Sequence, residues 1–331
     1  VGWKYSQELI EASGLPRSIF PEILPSAQVI GTLTSEAAQA LGLTTQVKVV
    51  AGGVDNSCMA LGARNIEDGR IYNSQGSSSW IAVTTSDPVL DDRFRPFVFT
   101  AVMPGLFNSA IPVFSSGTSF RWVRDQVCPD LVADARNNGK DVYDLMTGLA
   151  AASPVGARGV IFSPNMAGGS SIDASINIRG AFLGLDLGHR RGDLIRAAME
   201  GVAMEMRVAL DQLATKMELP KEIVVVGGGG RSKLWRQIYA DVYRMRIVKT
   251  NIDQQAAALG AAALAAVGAG FWKDYRIIDA IHHVVDVTNP IPANVEVYRS
   301  IMPVFYKAGN YLAEIGDAVA GLNLPQAEEA A

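Results

Sequence analysis

The apolar positions of this 331-residue chain fall into two patterns, short strand-length runs closed by glycine and longer segments whose apolar residues recur three and four apart. Residues 28–33 read as a strand and 35–41 as a short helix with Glu36 in its first turn and Gly42 as its stop. The run from Lys48 to Ala51 is short, β-branched and continuously apolar, so it predicts a buried parallel strand, and the segment from Ser57 to Ala63 predicts a helix after it. Residues 70–74 and 80–85 flank a Gly-Ser-rich turn and predict a hairpin, and 97–102 and 111–114 add further strands. The clearest helical period runs from Asp193 to about Met217, with Leu194, Ala197, Gly201, Met204 and Val208 on one face and Arg207 and Asp211 off it. A strand at 222–226 enters four glycines and is followed by a helix carrying Trp235, Ile238 and Val242. A strand at 246–248, an Ala-rich helix at 254–267 stopped by Gly268, and a final helix at 294–318 complete the reading. Helices are also expected at 5–12, 119–127 and 141–151, with a short buried strand at 159–162. Strands alternating with helices in this way define an α/β protein.

Composition narrows the function classes. A formal net charge of −4 argues against a nucleic-acid partner, because such proteins carry a basic face to neutralise phosphates. Two cysteines, Cys58 and Cys128, cannot build a disulfide framework, and three histidines without Cys/His spacing offer no zinc set. The longest weakly polar run, 256–271, is too short and too rich in Ala and Gly to span a bilayer. The expectation is a cytoplasmic protein with small-molecule partners and no membrane association. The chain opens on Val1 without a methionine, so its true N-terminus is expected to lie elsewhere; a tail is expected over 319–331, with its polar end, 326–331, frayed.

Three features carry candidate chemistry. Asp55 follows an apolar strand and Gly52-Gly53, a position at the lip of a cleft in open α/β sheets, where it would serve either as a catalytic carboxylate or as a helix cap. Gly227 to Gly230 stand between strand and helix, where absent Cβ atoms let backbone N–H groups approach an anion; a structural tight turn is the other reading. The Lys-Ser/Thr of a P-loop is missing, and Asp253 is a poor match to the acid of a dinucleotide fingerprint. Gly76, Ser77 and Ser78 are a second small-residue loop, either a phosphate-binding hairpin or a plain turn. His189 reads as a structural hydrogen-bonding group.

The same segments, Gly52-Gly53-Val54-Asp55-Asn56, the Ser-Gln-Gly-Ser-Ser loop from Ser74, the run from Arg179 to Arg191 with Arg196 to Ala203 after it, and Gly227 to Gln237, resemble the FGGY carbohydrate kinases, most closely the xylulokinases. The resemblance implies an actin-like ATPase fold of two ribonuclease-H-like α/β domains, with ATP and Mg²⁺ as cofactors and a small sugar or polyol, a ketopentose such as xylulose favoured, as acceptor. It implies that residues 1–63 are the C-terminal part of the first, sugar-binding domain and 64–318 a complete second, nucleotide-binding domain. Asp55 then aligns with the catalytic base, Gly76, Ser77 and Ser78 with the loop that receives ATP phosphates, Ser116 and Gly117 with a further nucleotide-facing turn, and Gly228, Gly229 and Ser232 with the adenosine segment. No metal ligand is assigned.

Two departures qualify the likeness. The strand-turn with Asp-x-Gly-Thr that binds phosphate and metal in relatives has no counterpart, so the chain is expected to be a piece that binds ATP weakly and turns over no sugar alone. A complementary N-terminal segment and a homodimeric assembly are the expected partners. Gly168 to Ile172 stand where relatives commonly read Gly-Glu-Arg-Thr/Ser-Pro. Two other classes stand as alternatives: a nucleotide-binding regulatory subunit without turnover, which the missing Asp-x-Gly-Thr segment allows, and a nicotinamide-dependent dehydrogenase, which rests on the glycine cluster alone.

Overall fold

The computed structural model describes residues 4–322, and the expected tail lies largely outside them. In chain order the helices and strands are α1 (Gln7–Ser13), β1 (Val29–Thr32), α2 (Ser35–Leu41), β2 (Lys48–Val50), α3 (Asp55–Gly62), β3 (Ile71–Gln75), β4 (Ser79–Thr85), β5 (Phe97–Thr100), β6 (Phe107–Val113), α4 (Gly117–Val127), α5 (Pro129–Asn138) and α6 (Val142–Ala151). They continue as β7 (Ile161–Ser163), β8 (Ala181–Leu183), α7 (Arg191–Ala214), β9 (Glu222–Val226), α8 (Lys233–Tyr243), β10 (Arg246–Thr250), α9 (Ala256–Ala269), α10 (Ile277–Ile281), β11 (Val284–Thr288) and α11 (Pro292–Ala320).

Seven strands form one mixed sheet in the order β11-β10-β9-β3-β4-β6-β5, parallel across β10-β9-β3 and antiparallel elsewhere. Alternation along the strands sorts the residues onto two faces. Ile71, Ile81, Val83, Ile111, Val113, Ile223 and Val225 join the large core under α7, whereas Tyr72, Ala82, Ala110 and Val226 face Ala60, Ala63 and Ala256 of α3 and α9. On this second face the helices present small residues, Ala60, Ala63 and Ala256, to larger strand side chains such as Tyr72 and Trp80.

The helix α7 is buried on most of its circumference rather than along one stripe, because the sheet, α6, α8 and β7 all pack around it. It carries an internal ion pair: Arg196 Nε donates to Glu200 Oε1 at 2.7 Å, and the same oxygen accepts from Tyr298 Oη of α11 at 2.7 Å and from Gly156 N at 3.0 Å. With three donors on one carboxylate oxygen, the buried charge is matched by hydrogen bonds as well as by its partner.

Two expectations change here. The strand at Lys48 pairs antiparallel with β1 in a separate two-stranded sheet, and its residues are exposed or half-buried. An apolar run reports β propensity, but only neighbouring elements decide whether both faces are covered; here Gly268 of α9 is what packs on Val50. For the same reason Gly268 lies inside α9, and the helix ends at Gly270, whose φ of 86° suits glycine. Among the described residues no helix is long and apolar enough to cross a membrane, and both cysteines are buried and unpaired.

Candidate nucleotide and acceptor site

The site is built where two glycine loops meet the start of α4. The β3–β4 hairpin turns at Gly76 to Ser78, and the first turn of α4 docks on it through Gly117 N to Gly76 O (3.2 Å), Thr118 N to Ser77 O (2.9 Å) and Thr118 Oγ1 to Ser77 O (2.8 Å). Glycine at 117 is required by that approach, since a Cβ there would lie 2.2 Å from the Gly76 carbonyl oxygen. Beneath the turn, Ser116 Oγ accepts from Gln75 Nε2 at 3.0 Å and from Ser79 Oγ at 2.7 Å. The second loop leaves β9 at Gly227, makes a short 3₁₀ turn over Gly228–Arg231 and enters α8 with Ser232 as its N-cap, Oγ accepting from Trp235 N at 3.4 Å.

The two loops border a single cavity of about 620 Å³. Gly76, Ser77, Gly117, Gly228, Gly229 and Ser232 all line it. Ser78 and Ser116 do not; Ser116 is fully buried, its hydroxyl committed to the hairpin beneath. The volume is that of a typical small-molecule site. Its wall includes residues the sequence did not single out: Arg121 and Arg231, the acids Asp141 and Asp144, and the aromatics Phe120 and Tyr143, which stack with ring centroids 5.9 Å apart. A charged residue on a helix reads from sequence as ordinary surface, and only the fold brings these residues to one cavity.

Asp55 stands outside this cavity, as the first residue of α3. The N-cap position belongs to Val54, which makes no side-chain cap, so the helix-cap alternative does not describe this carboxylate. Instead Oδ1 accepts from Asn56 N at 2.7 Å and Nδ2 at 3.3 Å, leaving Oδ2 without a protein partner among the described residues. α3 crosses α9 at backbone contact: a Cβ on Gly62 would fall 1.7 Å from Ala256 O, and one on Gly260 1.9 Å from Cys58 O. Gln254, just before α9, lines the cavity, so α9 ties the Asp55 helix to the glycine loops. His189 is structural as expected, Nδ1 accepting from Asp186 N at 2.9 Å and Nε2 facing Arg158 O at 3.3 Å.

A mixed sheet covered by helices on both faces, with a smaller N-terminal sheet attached through α3, is an actin-like ATPase fold. The xylulose kinase from Lactobacillus acidophilus superposes with a TM-score of 0.85 at 25% identity, covering 96% of this chain and 62% of that one. Residues 71–269 match the C-terminal domain of the FGGY family of carbohydrate kinases and residues 2–62 its N-terminal domain. The chain belongs to the FGGY family. Similar curated proteins include a xylulose kinase of Staphylococcus epidermidis, 28% identical over 87% of this chain and 56% of the relative. A gluconokinase of Bacillus subtilis is 27% identical over 97% of this chain and 63% of the relative. The chain thus spans between half and two thirds of the length of these relatives.

Proposed function

We propose that this chain carries the nucleotide cavity and the general base of an ATP-dependent sugar kinase whose acceptor is a small sugar or polyol, with a ketopentose such as xylulose favoured. The observation that carries the reading is the convergence of Gly76, Ser77, Gly117, Gly228, Gly229 and Ser232 on one cavity. Small residues at two loops leave room for the close approach of a polyphosphate, and the stacked Phe120–Tyr143 pair with Asp141 and Asp144 suits a base and ribose.

In this reading 1–63 is the portion on the acceptor side and 64–318 the nucleotide-binding portion. Asp55 accepts the proton of the sugar hydroxyl as that oxygen attacks the γ-phosphate, Asn56 holding one carboxylate oxygen and leaving the other for the acceptor. Phosphoryl transfer asks the protein chiefly to position groups and to stabilise spreading charge. In this reading magnesium enters as the counter-ion of the nucleotide substrate.

The N-terminal portion carries exposed apolar side chains, among them Ile30 of β1, Leu41 of α2 and Leu43 after it, which suit packing against a further polypeptide segment. Calorimetric titration of the 331-residue chain with MgATP tests the cavity. A screen for ADP release with D-xylulose, gluconate, glycerol and L-ribulose, with and without a complementary N-terminal segment, tests the acceptor. Absence of ATP binding to the folded chain would overturn the reading.

A further inference from the structure

The cavity wall carries a guanidinium left out of the direct ion pairing on its own helix. Arg121 and Asp125 stand four apart on α4, the spacing at which an ion pair ordinarily forms. Asp125 is already taken: Arg124 grips it through Nε to Oδ1 at 2.6 Å and Nη2 to Oδ2 at 2.9 Å. Arg121 makes no ion pair among the described residues and turns to the glycine loop, its Nη2 donating to Ser77 Oγ at 3.2 Å. It lines the same cavity as Gly76, Ser77 and Gly117.

We propose that Arg121 is a phosphate-binding residue of this cavity, holding the distal phosphates of the nucleotide against the Ser77 turn. The inference rests on the nucleotide reading of the cavity and names the residue that senses phosphate number. A guanidinium offers five N–H donors in a planar fork; one meets Ser77, and the others remain for a bidentate contact with phosphate oxygens. Its place in the first turns of α4, whose N-terminal end carries partial positive charge, adds to the attraction for an anion there. The opposite charges fall elsewhere on the wall. Asp141 and Asp144 stand at the start of α6 with Tyr143, whose hydroxyl accepts from Arg124 Nη1 at 3.0 Å one turn further along α4. The cavity is therefore polarised along α4, cationic beside the small-residue loop and anionic beside the aromatic pair. A solvated surface arginine would be the ordinary alternative, but it would gain nothing from Ser77 and would leave phosphate discrimination unchanged.

The experiment is a ladder of affinities for adenosine, AMP, ADP and ATP, measured by calorimetry at fixed ionic strength on the 331-residue chain and on Arg121→Gln and Arg121→Lys. Loss of a charge-assisted bidentate contact predicts that Arg121→Gln weakens ADP and ATP by about 10-fold or more, with adenosine unchanged. Arg121→Lys, which keeps the charge and loses the fork, should recover part of that loss and serves as the second variant if the glutamine protein folds poorly. Equal weakening of adenosine and ATP, or a ladder identical to that of the unaltered chain, would overturn the role of Arg121 while leaving the cavity reading intact. An unaltered chain that binds none of the four ligands would instead overturn the cavity reading and this role with it.

Discussion

Replacing Gly62 by alanine tests the seam that carries Asp55. The added Cβ would stand 1.7 Å from Ala256 O and 2.6 Å from its carbonyl carbon, and both are backbone atoms that no rotamer change can move. Restoring a C···O separation of about 3.3 Å requires α3 and α9 to part by roughly 1.5 Å. A radial gap of even ~1 Å forfeits up to half of the dispersion well for each atom pair, and Leu61 and Leu264 are buried beside this seam. Overpacking of this kind costs about 1–3 kcal/mol and more where backbone blocks relief. Alanine's higher helix propensity returns at most ~1 kcal/mol. The net expectation is a loss of about 2 kcal/mol, close to 30-fold in the folding constant. Urea unfolding followed by tryptophan fluorescence and far-UV circular dichroism measures it, since Trp272 packs at the same cluster. A Gly62→Ala protein as stable as the original, or stabilised by propensity alone, would refute the close crossing of α3 and α9.

Three further outcomes are expected. In a preparation that turns over sugar, Asp55→Asn should lower kcat by at least ~10²-fold with ATP affinity retained, the scale of general-base loss; equal turnover would remove the base role. Gly228→Asp should weaken ATP binding by placing a carboxylate in the cavity, because a Cβ at 228 finds its nearest neighbour at 3.4 Å, whereas one at Gly229 would strike Gln75 Cγ at 2.1 Å and disturb the fold itself; unchanged affinity in a folded Gly228 variant would take this loop out of the site. Burial, with Asp173 beside it, pushes the Glu205 carboxyl well up, so folding favours its protonated form, and the stability this contributes is present at low pH and lost as pH rises through the raised value. Glu205→Gln does not titrate and should be the more stable protein at alkaline pH, as thermal melts across pH would record; identical melting profiles would refute the raised carboxyl.

Local signals were legible where chemistry acts within a few residues. The hairpin around Gly76, the strand 222–226 with its glycine exit and the helix 35–41 between Thr34 and Gly42 all follow from turn, cap and period signals, and the structure has each. Some elements were missed: β8 is a three-residue strand that exists through pairing with β7, β11 (Val284–Thr288) was passed over despite its β-branched residues, and α5 begins at Pro129 directly after α4 without a polar linker. The site divides along the same line. Glycines and small hydroxyl residues at the ends of strands could be picked out because few backbones need them. Arg121, Asp144 and Tyr143 could not, since their meaning comes from α4 and α6 facing one cavity.

The enclosure of α7 sets two clocks in one polypeptide. Its amide hydrogens, bonded within a helix wrapped by sheet and helices, reach solvent deuterium only when the whole seven-stranded body opens. Amides of β1 and β2 sit in an exposed two-stranded ladder with no third strand among the described residues, so they exchange through local fraying at far lower free energy. Deuterium uptake at Val29–Thr32 therefore reports whether the N-terminal sheet has been covered, while uptake in α7 reports the stability of the seven-stranded body, and the two readings stay separate in a single experiment.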